Sequence, residues 1–381
     1  MGRKHGLVVI YDPHNLYQFL WYYSTYGKEM VWDALCLPNS YKGEYLSGTC
    51  GKLGIFRNIY TDTKPFDSLP ILSRLLLFCK MFFSALFGKQ RQFARRLICG
   101  YTGKLDFDAA VILTDVGFIS GMFCLLADHK DVVILEDGMG DYINRKYSNI
   151  FSHLHNFFDL QGFMLSALGY SNTGHYFPLR TTKQCTKFSS HPDKMAYRNY
   201  KVIKTLFDMT LTDDVLFRRL VKSAWTGVAE YFSRPVEAML FTTPLTDYVK
   251  DAQPYISLIE GYINEHVSSL MLKRHPRDTA EYRFCRDVHV VDIDQSIPAE
   301  VLLPFLKDIK IFFCEISSTN LYISQFKYEP CFFYFSGIRE TNKKEHNILV
   351  QYPQIECFKE RLSLFELRHK IIELRFGNQC E

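Results

Sequence analysis

The chain has 381 residues, 47% of them hydrophobic and 23% charged, the mix of a folded protein rather than a disordered or fibrous one. Single cores stop growing at about 250–300 residues, so this length predicts two domains. A net charge of +4 lacks the overall basic excess of a nucleic-acid binder, and no nucleic-acid partner is expected.

Short apolar runs alternate with helical patterns from the start. Leu7–Tyr11 predicts a buried strand, followed by Pro13 and a helix over Leu16–Tyr26. Met1–Gly6 is followed at once by Leu7-Val8-Val9-Ile10, an apolar run too short for a secretory h-region, so a cytoplasmic location is expected. Val31–Leu35 and Ile55–Tyr60 read as the next strands, and Leu69–Leu97 as mostly helical. Leu69–Phe87 is rich in Leu and Phe, but Arg74 and Lys80 interrupt it. A spanning helix would bury both charges at about 2.5–3.5 kcal/mol each, so an amphipathic helix is predicted instead. It serves either the core, the inner face of a membrane, or a second subunit as in a homodimer. Arg74, Lys80, Lys89, Arg91, Arg95 and Arg96 follow one another with no acid between them, which suits an anionic surface and a peripheral membrane contact.

Ala109–Leu113 predicts a strand, Gly117–Leu126 a helix, and Val132–Leu135 a strand that runs directly into Glu136-Asp137-Gly138. Strands that are continuously apolar rather than alternating belong to a parallel sheet covered on both faces. Residues 147–233 are less regular, and 180–193 reads as a polar loop. His191-Pro192 falls there with no apolar strand before it, so it is assigned to the loop.

The pattern restarts with strands Ala238–Phe241, Ser269–Lys273, Val288–Ile293, Ile311–Cys314 and Cys331–Phe335. Helices are predicted over Tyr255–Asn264 and Val301–Leu306, and Leu364, Leu367, Ile371 and Leu374 keep helical spacing within Ser363–Phe376. The expected fold is α/β: two Rossmann-like doubly wound domains, 1–233 and 234–381, facing a central cleft where strand ends gather ligands. The eleven cysteines are scattered without metal-ligand spacing and read as reduced, buried thiols; no metal site is expected. Asp213-Asp214 and the pair Asp292 and Asp294 read as turn or cap residues. Without a P-loop, a GxGxxG after a strand, HExxH or GxSxG, nicotinamide and P-loop ATPase chemistries are set aside.

Four strand tips carry candidate chemistry. Gly138 lets the chain turn sharply after Glu136 and Asp137, which would expose two carboxylates able to act as a general base; an acidic turn with a helix cap is the plainer alternative. Pro276 stiffens a tip at which His275 sits among Lys273, Arg274 and Arg277, a setting for an anionic leaving group, or else a surface histidine in a basic turn. Ser317, Ser318, Thr319 and Asn320 follow a strand and open a helical pattern, a phosphate cradle or an ordinary N-cap. Thr242, Thr243 and Pro244 end the first strand of the second domain, where hydroxyls meet a ligand or make a turn.

Taken in order, the acidic tip, the His-Pro tip and the Ser-Ser tip resemble the bacterial lipooligosaccharide sialyltransferases (glycosyltransferase family 52) and the capsular polysialyltransferases. Phe241-Thr242-Thr243-Pro244-Leu245 is similar to the Thr-Gln-Pro-Leu tip of family 52, with Thr243 where Gln is usual. Lys273-Arg274-His275-Pro276-Arg277 is similar to its Lys-Pro-His-Pro-Arg run, with Arg274 replacing the first Pro. The resemblance implies a GT-B fold and an inverting, metal-independent transfer from a CMP-sugar to a glycan acceptor, with no further cofactor. It implies Glu136 or Asp137 as base, Asp247 as a second base candidate, and His275 as the group that protonates or hydrogen-bonds the departing phosphate. Lys273, Arg274, Ser317 and Ser318 would neutralise that phosphate. Another donor, a hexose or Kdo, and a silent nucleotide- or glycan-binding protein of capsule assembly are the alternatives.

Overall fold

The computed structural model describes residues 3–37, 43–61, 87–103, 107–112, 118–124, 126–127, 130–136, 184–189, 200–205, 214–242, 252–309, 311–314 and 331–334, with single positions or pairs between 73 and 84 and at 192, 195 and 244. It divides into two compact units, Met1–Ala224 and Trp225–Glu381, ahead of the seam at 233/234 read from the sequence. The fold is α/β, and among the described residues every strand pairing is parallel.

In the first unit, seven strands run β1 (His5–Ile10), β2 (Val31–Cys36), β3 (Phe56–Thr61), β4 (Ala109–Ile112), β5 (Asp131–Ile134), β6 (Thr186–Ser189) and β7 (Val202–Thr205). Their order across the sheet is β3-β2-β1-β4-β5-β6-β7, so the winding reverses between β1 and β4. Leu7, Val9, Ala110, Val132 and Ile134 pack under Ala94 and Ile98 of α3 (Gln90–Thr102) and Met122 and Phe123 of α4 (Phe118–Cys124), as strands covered on both faces require. Helix α1 (Pro13–Tyr22) starts earlier than its apolar pattern, because Asp12 caps it by accepting from Asn15 N at 2.8 Å and Pro13 tolerates the first turn. A π-turn, Tyr23–Gly27, extends it. It leads to Trp32, which is buried, donates its indole N–H to Gly27 O at 2.8 Å, and meets Phe19 edge-on at 5.0 Å. Trp32 lies opposite Gly6 in the β1–β2 ladder, where only a glycine leaves room for the indole. Helix α2 (Gly43–Leu53) lies between β2 and β3, and helix α5 (Val215–Ala224) ends this unit.

Strand β6 corrects the sequence reading, which placed 180–193 in a loop. Thr186-Lys187-Phe188-Ser189 is a strand despite its polar residues, and it stands directly before Ser190-His191-Pro192. A strand therefore does precede that His-Pro pair, though not an apolar one; His191 itself lies outside the described residues.

The second unit repeats the plan with five strands, β8 (Ala238–Phe241), β9 (Ser269–Lys273), β10 (His289–Ile293), β11 (Ile311–Cys314) and β12 (Cys331–Tyr334), in the order β10-β9-β8-β11-β12. Its winding reverses between β8 and β11. Ile259, Tyr262 and Ile263 of α6 (Gln253–His266) cover Leu240, Leu270, Leu272 and Phe313. The predicted helix at Val301–Leu306 is a short turn of α-helix, Ala299–Leu302, followed by a 3-10 turn, Leu303–Asp308, whose Pro304 suits that tighter start. Asp214 caps α5, accepting from Phe217 N at 2.6 Å, and Asp294 makes a turn, accepting from Ser296 N at 2.8 Å. The pattern at Ser363–Phe376 lies outside the described residues.

Candidate functional site

Ligands of open parallel sheets settle at the carboxyl ends of the strands beside the point where the winding reverses. In the second unit that point is next to Thr242, which follows β8, and His275, which follows β9. The two tips are tied together: Thr242 N donates to Lys273 O at 3.1 Å, and His275 N donates to the Thr242 hydroxyl at 2.9 Å. Behind His275 the chain folds back on itself. Arg277 N donates to His275 Nδ1 at 3.1 Å, and Asp278 N to His275 O at 2.9 Å. Because Nδ1 accepts, the proton of the neutral ring sits on Nε2, which makes Nε2 the ring's donor.

Lys273 and Arg274, on either side of the strand end, are engaged by neighbouring groups, whereas Arg277 is exposed. Lys273 is 5% exposed, and its ammonium donates to Arg274 O at 2.8 Å and Gln295 O at 3.1 Å. Burial pulls its pKa down to about 8, against the opposing pull of Glu300, Asp294 and Asp292. Arg274 donates to Ala280 O at 3.3 Å, pairs with Asp292 Oδ2 at 3.1 Å, and lies over the Tyr282 ring at 5.9 Å. Asp292 is thus an ion-pair partner at the end of β10 rather than a turn residue. Asp278, buried, accepts from Ala280 N at 3.0 Å and from the Tyr282 hydroxyl at 3.2 Å, and burial together with Asp278 pushes that phenol up. Gln295 donates to Asp278 O at 3.0 Å. Sequence reasoning missed Asp278, Tyr282 and Gln295; the turn pattern Asp278-Thr279-Ala280 was the only signal available. Pro276 is half-buried at the tip and Pro244 is buried.

In the first unit the corresponding place is the turn from β1 into α1. Tyr11 N donates to Asn15 Oδ1 at 2.9 Å, and the Tyr11 hydroxyl bonds the buried Ser120 of α4 at 2.9 Å. Burial raises that phenol to about 12. One turn on, the Gln18 amide meets His14 Nε2 at 2.9 Å. None of these polar residues was singled out from the sequence.

No protein-family model matches the chain, and no curated protein sequence matches it. Solved structures do. An α/β-galactoside α-2,3-sialyltransferase from Photobacterium phosphoreum superposes with a TM-score of 0.54 at 12% identity, over 94% of this chain and 97% of that one. A protein described as a UDP-N-acetylglucosamine 2-epimerase, from Listeria monocytogenes, gives 0.53 at 9% identity, over 99% and 89%. The S. aureus MnaA structure with UDP gives 0.50 at 8% identity, over 99% and 89%. The likeness shows the fold. It is the α/β fold shared by GT-B glycosyltransferases and these related proteins.

The remaining expected site residues divide sharply. Glu136, expected to be exposed at the β5 tip, is 1% exposed. That is a correction: β5 lies between β4 and β6, and Lys187 of β6 donates to Leu135 O at 2.9 Å, which holds the chain inside the sheet past the end of the strand. Asp137, Gly138, Thr243, Asp247, Ser317, Ser318 and Thr319 lie outside the described residues. What the structure brings together from the sequence's candidates is Thr242, Lys273, Arg274, His275 and Pro276, on one rim of the second sheet.

Proposed function

We propose that the protein is a nucleotide-sugar-dependent glycosyltransferase, and specifically one that moves sialic acid from CMP-sialic acid to a hydroxyl of a surface glycan, with inversion and without a metal. The observation that carries this reading is the His275 tip. An imidazole whose Nδ1 is occupied by a backbone N–H presents Nε2–H as a fixed donor at the carboxyl edge of a parallel sheet. A departing phosphate needs such a donor, aimed in advance at the oxygen where charge builds up.

In this reading the acceptor hydroxyl attacks the anomeric carbon as the bond to the CMP phosphate breaks. Asp137, with Asp247 as the alternative, takes the hydroxyl proton. Glu136, buried, is set aside from that role. His275 donates to the leaving phosphate, and the hydroxyls of Ser317 and Ser318 complete its cradle. Lys273 and Arg274 serve the phosphate indirectly, by holding the loop that carries His275.

The motif order and the likeness to a bacterial sialyltransferase support the CMP-sialic acid donor. The likeness to proteins named for UDP or UDP-sugars favours a second reading, in which the same site takes a different nucleotide sugar. Incubation with CMP-sialic acid and a galactoside-terminated acceptor tests the first: release of CMP coupled to sialylated product is expected, and His275→Ala should lose turnover while melting at the wild-type temperature. Turnover of a UDP-sugar with none of CMP-sialic acid would overturn the donor assignment. Wild-type rates in His275→Ala would overturn the role of His275.

A further inference from the structure

We infer that the first unit carries a docking surface for an anionic lipid bilayer, formed by the helical residues before Gly88 and the outer side of α3. Three features converge on it. First, the segment from Ser68 to Leu105 holds seven Lys and Arg and no Asp or Glu, whereas the whole chain has a net charge of only +4, so everything outside that segment is net acidic. The basic character of the protein is gathered in one tenth of its length.

Second, three large apolar residues there, Leu76, Phe83 and Phe87, face outward. The described residues between 73 and 84 are helical, and Leu76, Lys80, Phe83 and Phe87 follow at steps of four, three and four, which places them on one side of the helix. Leu76 is 56% exposed, Phe83 55% and Phe87 71%, while Leu77, on the adjoining side, packs against the core. A folded domain seldom leaves a run of large apolar side chains in water without a use for them.

Third, exposed cations follow the turn that ends this helical stretch. Gly88 adopts φ +66°, and Lys89 N reaches back to Ser84 O at 2.6 Å, a helix-ending motif that only a left-handed residue completes. Helix α3 then begins, with Ala94 and Ile98 buried and Phe93, Leu97 and Tyr101 packed on the core. Lys89, Arg91, Arg95 and Arg96 are exposed. Aromatic side chains flanked by guanidinium and ammonium groups match the two layers of a bilayer surface: rings enter the acyl boundary while cations stay among anionic headgroups. Acidic surfaces without an apolar layer would use the cations and leave the rings in water, and a second copy of this chain would set like charges against each other. Arg74 and Lys80 would be costly to bury in a spanning helix, so the contact lies on the surface.

Co-sedimentation of the full chain with vesicles tests this. Binding to phosphatidylcholine vesicles containing phosphatidylglycerol should exceed binding to phosphatidylcholine alone by at least about tenfold, because each cation near such a surface multiplies partitioning about fivefold. Reversing Arg91, Arg95 and Arg96 to Glu together should weaken binding by at least about 100-fold on the same basis. Phe83→Ser with Phe87→Ser should weaken it about tenfold at constant charge. High salt reproduces the charge arm in the wild-type chain should the triple variant fail to fold. Equal binding to both vesicle types, full binding by the charge-reversed variant, or full binding by the double Phe variant would each overturn the inference. So would a concentration-dependent dimer that the Phe substitutions dissolve, with no vesicle binding at all.

Discussion

Thr242→Val removes the bond that holds the candidate catalytic tip, together with the side-chain bond between Thr242 and Tyr282. Valine keeps the shape of threonine and removes the one oxygen to which His275 N donates, at 2.9 Å. A fully buried N–H left without an acceptor costs about 1–3 kcal/mol, and this one is half-buried, which puts the expected cost near the lower end, about 1 kcal/mol. For a unit of this size each kcal/mol lowers the melting temperature by about 2–4 °C. The larger consequence is chemical. With its backbone released from β8, His275 no longer holds Nε2 at a fixed point, and misplacement of a reacting group by an ångström costs roughly 100-fold in rate. Expected, then, is a melting shift of a few degrees beside a fall in kcat of about 10–100-fold, with donor KM changed much less. Thr242→Ser keeps the oxygen and should restore both. Steady-state kinetics with calorimetry on the three proteins decide it. Should valine and serine behave alike, the Thr242–His275 bond positions nothing and the tip is held by the rest of the loop.

His275→Gln should retain more kcat than His275→Asn, because a glutamine amide reaches where Nε2 lies and an asparagine amide where Nδ1 lies; the opposite order would reverse the tautomer assignment. Lys273 binds its proton more weakly when folded, at about 8 against 10.5 unfolded, so between those values the unfolded chain holds more protons and stability rises with pH. Relative to Lys273→Met, the wild type should gain roughly 1 kcal/mol per pH unit from pH 8 to 10 in urea titrations, and a falling difference would contradict the burial argument. Gly6→Ala would set a methyl carbon 2.7 Å from Trp32 Cδ2, an overpacking expected to cost about 1–3 kcal/mol, measured as a lower melting temperature of the first unit; an unchanged transition would show that the indole can move aside.

Strands β1, β2, β4, β5, β8, β9 and β11 were legible because both of their faces are covered and almost every position is apolar. Strands β6 and β7 were not, and Lys187 shows why. Its side chain is wholly buried, a place a lysine takes only when its charge is met. Here Leu135 O accepts from the ammonium, and the Tyr200 ring lies 5.8 Å away. In β7, Lys204 lies over the rings of Tyr26 and Phe188 at 5.5 and 5.7 Å. These partners lie outside the strand that carries each lysine, so nothing local in Thr186–Ser189 or Val202–Thr205 announces a sheet. The candidate site divides the same way. Its position, at strand tips carrying hydroxyls and a His-Pro pair, follows from strand length and turn chemistry, which are local. The partners of Lys273, Arg274 and His275 come from β8, β10 and the turn after it, which spacing along one strand does not reveal.

The basic residues of the β9 tip show how far residue type falls short of role. Lysine and arginine beside a histidine suggest phosphate ligands, because charge is the property a sequence displays. Their reach decides otherwise. Lys273 is the last residue of its strand and its side chain is buried, so its four-carbon stem carries the ammonium to the carbonyls of Arg274 and Gln295. Arg274 has Asp292 for a counter-ion and Tyr282 for a stacking face, and a guanidinium held on both sides has little geometry left for a ligand. Each cation thus converts charge into rigidity of a loop that has no regular hydrogen-bond ladder of its own. A histidine donor is effective only if its position is fixed before the phosphate arrives. The expected signature of such bracing is that Lys273→Met and Arg274→Met alter kcat more than donor KM, whereas direct phosphate ligands would show the reverse emphasis, with KM rising most.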